Sequence, residues 1–373
     1  MDVETGEVLA CASYPTYNLA TLNKDWNTIA ADERKPFFNR AFGAAYAPGS
    51  TFKMATLIAA MENTDKSGNV LLEYGELIHD QGVYNHPDLP GFHPQCLLWT
   101  SNTAIHLQPN GDDIDGSWAL CYSCNCFFYE LGRRCTWEMV RDVCTALGLG
   151  VDSGIELKEE LGRQNTKEVK LKVYGSGVNS AFNAGDRVLG GIGQAEHRYT
   201  PMQLAVYAST LANQGKRMKA TFLSRVVSSD YRTLIEENQP EILSTLQMSW
   251  TTVETYMQGM RMVITKPGGT AAKYFGGFSD QIGDVDGVWP LAKDVVVYAK
   301  TGTAQHASGG SDHGVFVCFA HKVDDTTPDV AIAVFGEKAA HGAWLAPVAE
   351  KILMAYYAKV DAGDVTAFEN QVA

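Results

Sequence analysis

The runs richest in β-branched and aromatic residues lie at the two ends of this chain, and helical patterns lie between them. Asp294–Ala304, Gly314–Ala320 and Val330–Glu337 carry Val, Phe and Ile at the density of strands. At the other end, Met1–Val3 and Val8–Ser13 read as two strand segments joined at Glu4–Glu7, with Gly6 in the turn. Val8, Ala10 and Ala12 alternate and would share one face. Strand material so far apart buries its apolar face most simply in one sheet. The expected fold class is therefore α/β: a mainly antiparallel sheet formed by both chain ends (1–15 and 294–338), covered by helices, with a helical subdomain inserted over about 54–215. Residues 1–373 then form one domain. A chain that opens inside a strand also suggests that residues preceded Met1.

Local signals punctuate the middle. Pro48-Gly49 halts what comes before, and Ser50-Thr51 can cap a helix over Lys53–Met61. Residues 62–118 are rich in Gly, Pro, Asn, Asp and His and read as irregular. Leu120–Leu149 reads as helical and ends at Gly148 and Gly150. Thr200-Pro201 starts a helix over Met202–Ala212, closed by Gly215. Further helices are expected over Thr251–Val263 and Ala346–Tyr357. A connection rich in Gly and Ser, Ala307–His313, leads into the Gly314–Ala320 strand and reads as mobile.

Charge removes some function classes. The net charge of −13 disfavours a general nucleic-acid or anionic-membrane surface, since both need a basic patch. The longest apolar runs, such as Met54–Met61 and Val315–Ala320, fall far short of the ~20 residues of a bilayer span.

Three short segments carry chemistry. Ser50 and Lys53 are one helical turn apart, which suits a hydroxyl nucleophile and an amine base. A helix N-terminus and partial desolvation would lower the Lys53 pKa. The same pattern also describes a solvated helix face. Lys300-Thr301-Gly302-Thr303 lies in a β-rich run, where Lys and Thr can hold a carboxylate and Gly marks a close approach. An edge strand with a surface lysine reads the same way. Ser123-Cys124-Asn125 precedes an aromatic run. It reads either as a serine-capped helix start or as a second hydroxyl and an amide facing the nucleophile.

In this order the three segments resemble those of the penicillin-binding protein and serine β-lactamase superfamily. The flanks sharpen the likeness. Arg40-Ala41-Phe42 through Lys53 is similar to the stretch around the acylated serine of class B penicillin-binding proteins. Asp2–Ala10, Gly191-Ile192-Gly193-Gln194 before Thr200–Ala205, Lys266–Ala271, and His341-Gly342 before Ala346-Pro347 are similar too. The resemblance covers nearly the whole chain and is to the transpeptidase domain. It implies a parent protein with an upstream non-catalytic domain and a membrane anchor, working on the extracytoplasmic face of a bacterial membrane.

The resemblance also implies roles. Ser50 would attack a D-alanyl-D-alanine stem peptide of peptidoglycan, Lys53 would be the acylation base, and Ser123 would pass a proton. Asn125 would hold the donor peptide. Lys300, Thr301, Gly302 and Thr303 would bind the substrate carboxylate end, with the N–H groups of Ser50 and Thr303 forming an oxyanion hole. β-Lactams would acylate Ser50. A wall-synthesis glycosyltransferase is the expected partner, with no nucleic acid, cofactor or metal. Two other functions share these motifs: a serine β-lactamase or β-lactam sensor, and a non-catalytic scaffold of a wall-synthesis complex. The polar insert Gln108–Gly116 departs from the pattern and could reshape the groove.

Eight cysteines are unevenly placed, with five between Cys121 and Cys144. In an oxidising space Cys96 and Cys124 could pair beside the site; the alternative is two buried thiols. Cys121, Cys126, Cys135 and Cys144 read as small core residues. His79, His86, His93 and Cys96 are metal-ligand types, but their spacing matches no common zinc pattern.

Overall fold

Three strands, Val295–Ala304, His313–Lys322 and Val330–Gly336, pair antiparallel in chain order. They belong to a computed structural model that describes residues 1–177, 180–275, 295–305 and 310–361. Residue 294 and residues 307–309 of the Ala307–His313 connection lie outside the described part.

The central strand is buried on both sides, and its alternation separates two cores. Val315, Val317 and Phe319 join the larger core, built on the helices Lys53–Met61, Asn125–Arg134 and Pro201–Ala212. Phe316, Cys318 and Ala320 face the other, with Val263 and Ile264 of the helix Trp250–Thr265 and Leu353 and Tyr357 of the helix Ala346–Asp361. The sheet is thus covered by helices on both faces.

The two chain ends do meet at the sheet, though less fully than the sequence suggests. Asp2 bridges Val330, and the Ala331 N–H donates to the Met1 carbonyl (2.9 Å). Val8–Ser13 does not become a strand. Val8 turns instead to the Thr221 carbonyl (2.8 Å), and Leu9–Ala12 are exposed. The small side chains of Ala10 and Ala12 offer too little apolar area to hold a further strand.

Helix boundaries follow the capping chemistry. Thr200 accepts from the Gln203 N–H while the Gln203 side chain accepts from the Thr200 N–H, a reciprocal cap with Pro201 next in line. The segment 120–149 is three helices rather than one: Gly116–Tyr122, Asn125–Arg134 and Trp137–Ala146. The first break, at Ser123-Cys124, is where the site forms. Two short ribbons, Lys216–Met218 with Ile242–Thr245 and Arg225–Val227 with Leu234–Glu237, escaped the sequence reading because each strand is only three or four residues long. Among the described residues no helix is long and apolar enough to cross a membrane.

Candidate active site

The site begins with a backbone turn. Gly49–Phe52 is a 3-10 helix that runs straight into the helix Lys53–Met61. Residues three apart eclipse one another in a 3-10 turn. Ser50 and Lys53 therefore stack, and the Lys53 N–H donates to the Ser50 carbonyl. The Thr51 hydroxyl closes the turn on the Pro48 carbonyl (2.8 Å).

This turn lies directly against the Val295–Ala304 strand. Gly49 has φ +54°, and a Cβ there would sit 2.3 Å from the Thr303 carbonyl oxygen. From the other side, a Cβ on Gly302 would sit 2.7 Å from the Pro48 carbonyl oxygen. Two glycines thus let two backbones approach more closely than any side chain allows.

Lys53 is fully buried, so it is not part of a solvated helix face. Its ammonium donates to the Ser123 carbonyl (2.7 Å), the Ser123 hydroxyl (3.1 Å) and Asn125 Oδ1 (2.8 Å). It also sits 5.3 Å from the centre of the Phe128 ring. Lys300 is equally buried and is no surface lysine. Its Nζ donates to the same Ser123 hydroxyl (3.0 Å) and to the Thr301 carbonyl (3.0 Å). One hydroxyl oxygen thereby joins two ammonium groups from segments 177 residues apart at Ser123 and Lys300.

Ser123 does not cap a helix with its side chain. It closes the helix Gly116–Tyr122 in the left-handed region (φ +56°, ψ 41°), and Cys124 starts the next helix. A non-glycine residue held there is uncommon and occurs where surroundings over-determine it. Here the Ser123 and Cys124 N–H groups are tied to the Leu120 and Ala119 carbonyls (3.2 and 3.0 Å).

Burial pushes the Lys53 pKa down to about 8, with the neighbouring thiols and Asp80 pulling the other way. Lys300 is held well below its ordinary value by burial and then by the charge of Lys53. None of the oxygens bonded to these two ammonium groups carries a charge. Such a pocket favours an anionic ligand and a neutral amine that can take up a proton.

Thr301 finds its partner in the Lys266–Ala271 segment that the sequence also singled out. Its hydroxyl donates to Thr270 Oγ1 (2.7 Å), on the loop after the helix Trp250–Thr265. Gly268-Gly269 just before Thr270 was the readable signal. A Cβ on Gly269 would meet the Val263 carbonyl oxygen at 2.5 Å.

A second cluster lies behind Asn125. The Cys96 and Cys124 sulfurs are 3.8 Å apart as free thiols, well beyond the ~2.05 Å of a bonded pair. The pairing considered from sequence is not made. Cys96 Sγ instead accepts from the Asn125 N–H (3.3 Å) and lies 3.5 Å from His106 Nδ1. His106 Nδ1 in turn meets Asp80 Oδ2 at 2.7 Å. Burial lowers the His106 pKa, but Asp80 and Cys96 outweigh it and raise it to about 9.

The four potential donor atoms of Asp80, Cys96, His106 and Cys124 all lie within 4.8 Å of one another and all four residues are buried. His79, His86 and His93 are not in this group; of the four metal-ligand types singled out by sequence, only Cys96 belongs to it. Two sulfurs, an imidazole and a carboxylate could hold a zinc ion. Added zinc is expected to raise the Tm of the wild-type chain and not that of a Cys96→Ala, Cys124→Ala double variant. An equal response of both would put the metal elsewhere.

The sequence model of the "Penicillin binding protein transpeptidase domain" matches residues 1–354. The chain is 24% identical over 362 residues to the peptidoglycan D,D-transpeptidase MrdA of Acinetobacter baumannii, covering 94% of this chain and 49% of that protein. It spans about half the length of the first curated relatives it matches. A solved peptidoglycan synthase complex that coordinates polymerization and crosslinking contains a chain of similar fold (TM-score 0.74, 21% identity, 96% of this chain and 55% of that one). So does the penicillin G acyl-enzyme of penicillin-binding protein A from Mycobacterium tuberculosis (TM-score 0.69, 21% identity, 95% and 73%). With its family model matched over nearly its full length and its fold shared, this chain belongs to the penicillin-binding protein transpeptidase domain family.

Proposed function

We propose that this chain is a peptidoglycan D,D-transpeptidase that works through a Ser50 acyl-enzyme. The observation that carries the reading is the meeting of Lys53 and Lys300 at the buried Ser123 hydroxyl, with Lys53 one turn along the chain from Ser50. The names of the curated relatives and the penicillin G adduct of a similar fold support it.

In this reading of acylation, neutral Lys53 takes the Ser50 proton as Oγ attacks the carbonyl of the penultimate D-alanine. The N–H groups of Ser50 and Thr303 receive the developing oxyanion, a donor pair in which each member is worth about 3–4 kcal/mol of barrier. The Ser123 hydroxyl, bonded to both lysines, relays the proton to the leaving D-alanine amine. Lys300 and the hydroxyls of Thr301 and Thr303 bind the terminal carboxylate, and Asn125 holds the donor peptide. An amine from a neighbouring stem peptide then takes the acyl group and Ser50 regains its proton. The crosslinking would take place outside the cytoplasm and beside a polymerising partner, a pairing supported by the similar fold in a peptidoglycan synthase complex that coordinates polymerization and crosslinking.

Incubation with fluorescent penicillin tests the reading. One covalent, slowly released label per chain, mapped by mass spectrometry to Ser50, is the expected result. Rapid turnover of the drug would make the chain a β-lactamase, and no labelling at all would leave it a scaffold.

A further inference from the structure

The turn Gly190–Gln194 touches both halves of the reacting surface. It follows the helix Ala184–Gly190 and is closed by its own backbone: the Gly193 N–H donates to the Gly190 carbonyl (2.9 Å) and the Gln194 N–H to the Leu189 carbonyl (3.1 Å). Two of its carbonyls hold the nucleophile side. Gly191 accepts from the Thr56 hydroxyl (2.9 Å), and Gly193 accepts from the Gly49 N–H (3.1 Å). The contact is close: a Cβ on Gly193, at φ +73°, would sit 2.1 Å from the Gly49 carbonyl oxygen. The Gln194 side chain reaches the strand, where its Nε2 donates to the Thr303 carbonyl (3.2 Å).

That carbonyl has a particular place. Val295–Ala304 is an edge of the three-stranded sheet among the described residues. In an antiparallel ladder the N–H and C=O of one residue point to the same side. The Thr303 carbonyl bonded to Gln194 therefore shares its edge with the Thr303 N–H. Thr303 is also the next-to-last residue of the strand, where the ladder holds the backbone least.

We infer that Gln194 is a positioning residue for acyl transfer, its amide holding the Thr303 peptide against the nucleophile turn so that the Thr303 and Ser50 N–H groups face one oxygen. The inference rests on the reading of Thr303 as an oxyanion donor. One rigid turn then carries both donors: Gly193 holds Gly49, the neighbour of Ser50, and Gln194 holds Thr303. Without the amide, the Thr303 end is free to shift. A displacement of order 1 Å at reacting groups costs roughly 100-fold in rate. The oxyanion exists only in the tetrahedral species of acyl transfer, so the loss falls on the acylation step and not on the first encounter with the drug.

Two variants remove the donor at neutral pH: Gln194→Met and Gln194→Glu. Time courses with fluorescent penicillin at several concentrations separate the acylation rate constant from the half-saturating concentration. The rate constant is expected to fall about 10- to 100-fold, with half-saturation moving less than about threefold. Affinity for a penicillin-like boronic acid, whose tetrahedral adduct places an oxygen between the two donors, is expected to fall in parallel. Melting curves report the fold. A wild-type acylation rate in both variants, a change in half-saturation alone, or loss of fold in both would overturn the inference. A wild-type chain that takes no label would sink the Ser50 reading, and this inference with it. A labelled wild type beside an unaffected Gln194→Met sinks only the role of Gln194.

Discussion

Replacing Ser50 by alanine is expected to abolish covalent labelling by penicillin and leave the fold standing. The substitution removes the atom that forms the bond, and neighbouring groups cannot substitute for it. Loss of a nucleophile in a comparable serine enzyme costs about 10⁶ in rate. The turn should survive. Its closing hydrogen bonds run from the Lys53 N–H to the Ser50 carbonyl and from the Thr51 hydroxyl to the Pro48 carbonyl, and neither uses the Ser50 side chain. Ser50 is only half-buried, and at such positions a change to alanine typically moves stability by about 0.5 kcal/mol or less. Intact mass and a melting curve suffice as measurements. Ser123 is the instructive rival, since its hydroxyl lies between the same two lysines. Undiminished labelling of Ser50→Ala, with the adduct mapped to Ser123, would reverse the two roles.

Lys53→Met carries the second large effect, and pH gives its signature. Below its pKa of about 8, Lys53 is mostly an ammonium and cannot accept the Ser50 proton. Wild-type acylation at low drug concentration should therefore rise about tenfold per pH unit up to pH of about 8 and then level off. Methionine fills a similar volume without a titrating group. Acylation should fall about 10²- to 10⁴-fold, the usual contribution of a placed general base, and the ascending limb near pH 8 should disappear. A Lys53→Met protein that keeps the same limb would move the base elsewhere. Lys300 would be the first candidate, since its burial also favours the neutral form.

How much of this was legible beforehand depended on the range of the signal. Gly302 in a β-rich run was readable as a close approach because a missing Cβ has few other uses in a strand interior. The approaching partner, the Pro48 carbonyl, was not readable, since nothing local names it. The helix after Thr200-Pro201 was readable because capping acts over four residues. Val8–Ser13 misled because alternation records which residues could share a face, not whether their area is enough to hold a strand. The motif segments were visible one by one, yet each had a bland counterpart. Burial of Lys53 and Lys300 is what separates the readings, and burial is set by distant chain.

Sequence by itself determined the local pieces: the turn that stacks Ser50 on Lys53, the capped helices, the antiparallel tail and the glycines at 49 and 302. These follow from backbone sterics and short-range hydrogen bonds. Tertiary structure alone decided that Ser123 would sit left-handed between two ammonium groups, that Gln194 would reach Thr303, and that Asp80, Cys96, His106 and Cys124 would converge. The physical reason is that these contacts join side chains across irregular segments with no period to read. Only packing of the two cores around the sheet brings them within bonding distance.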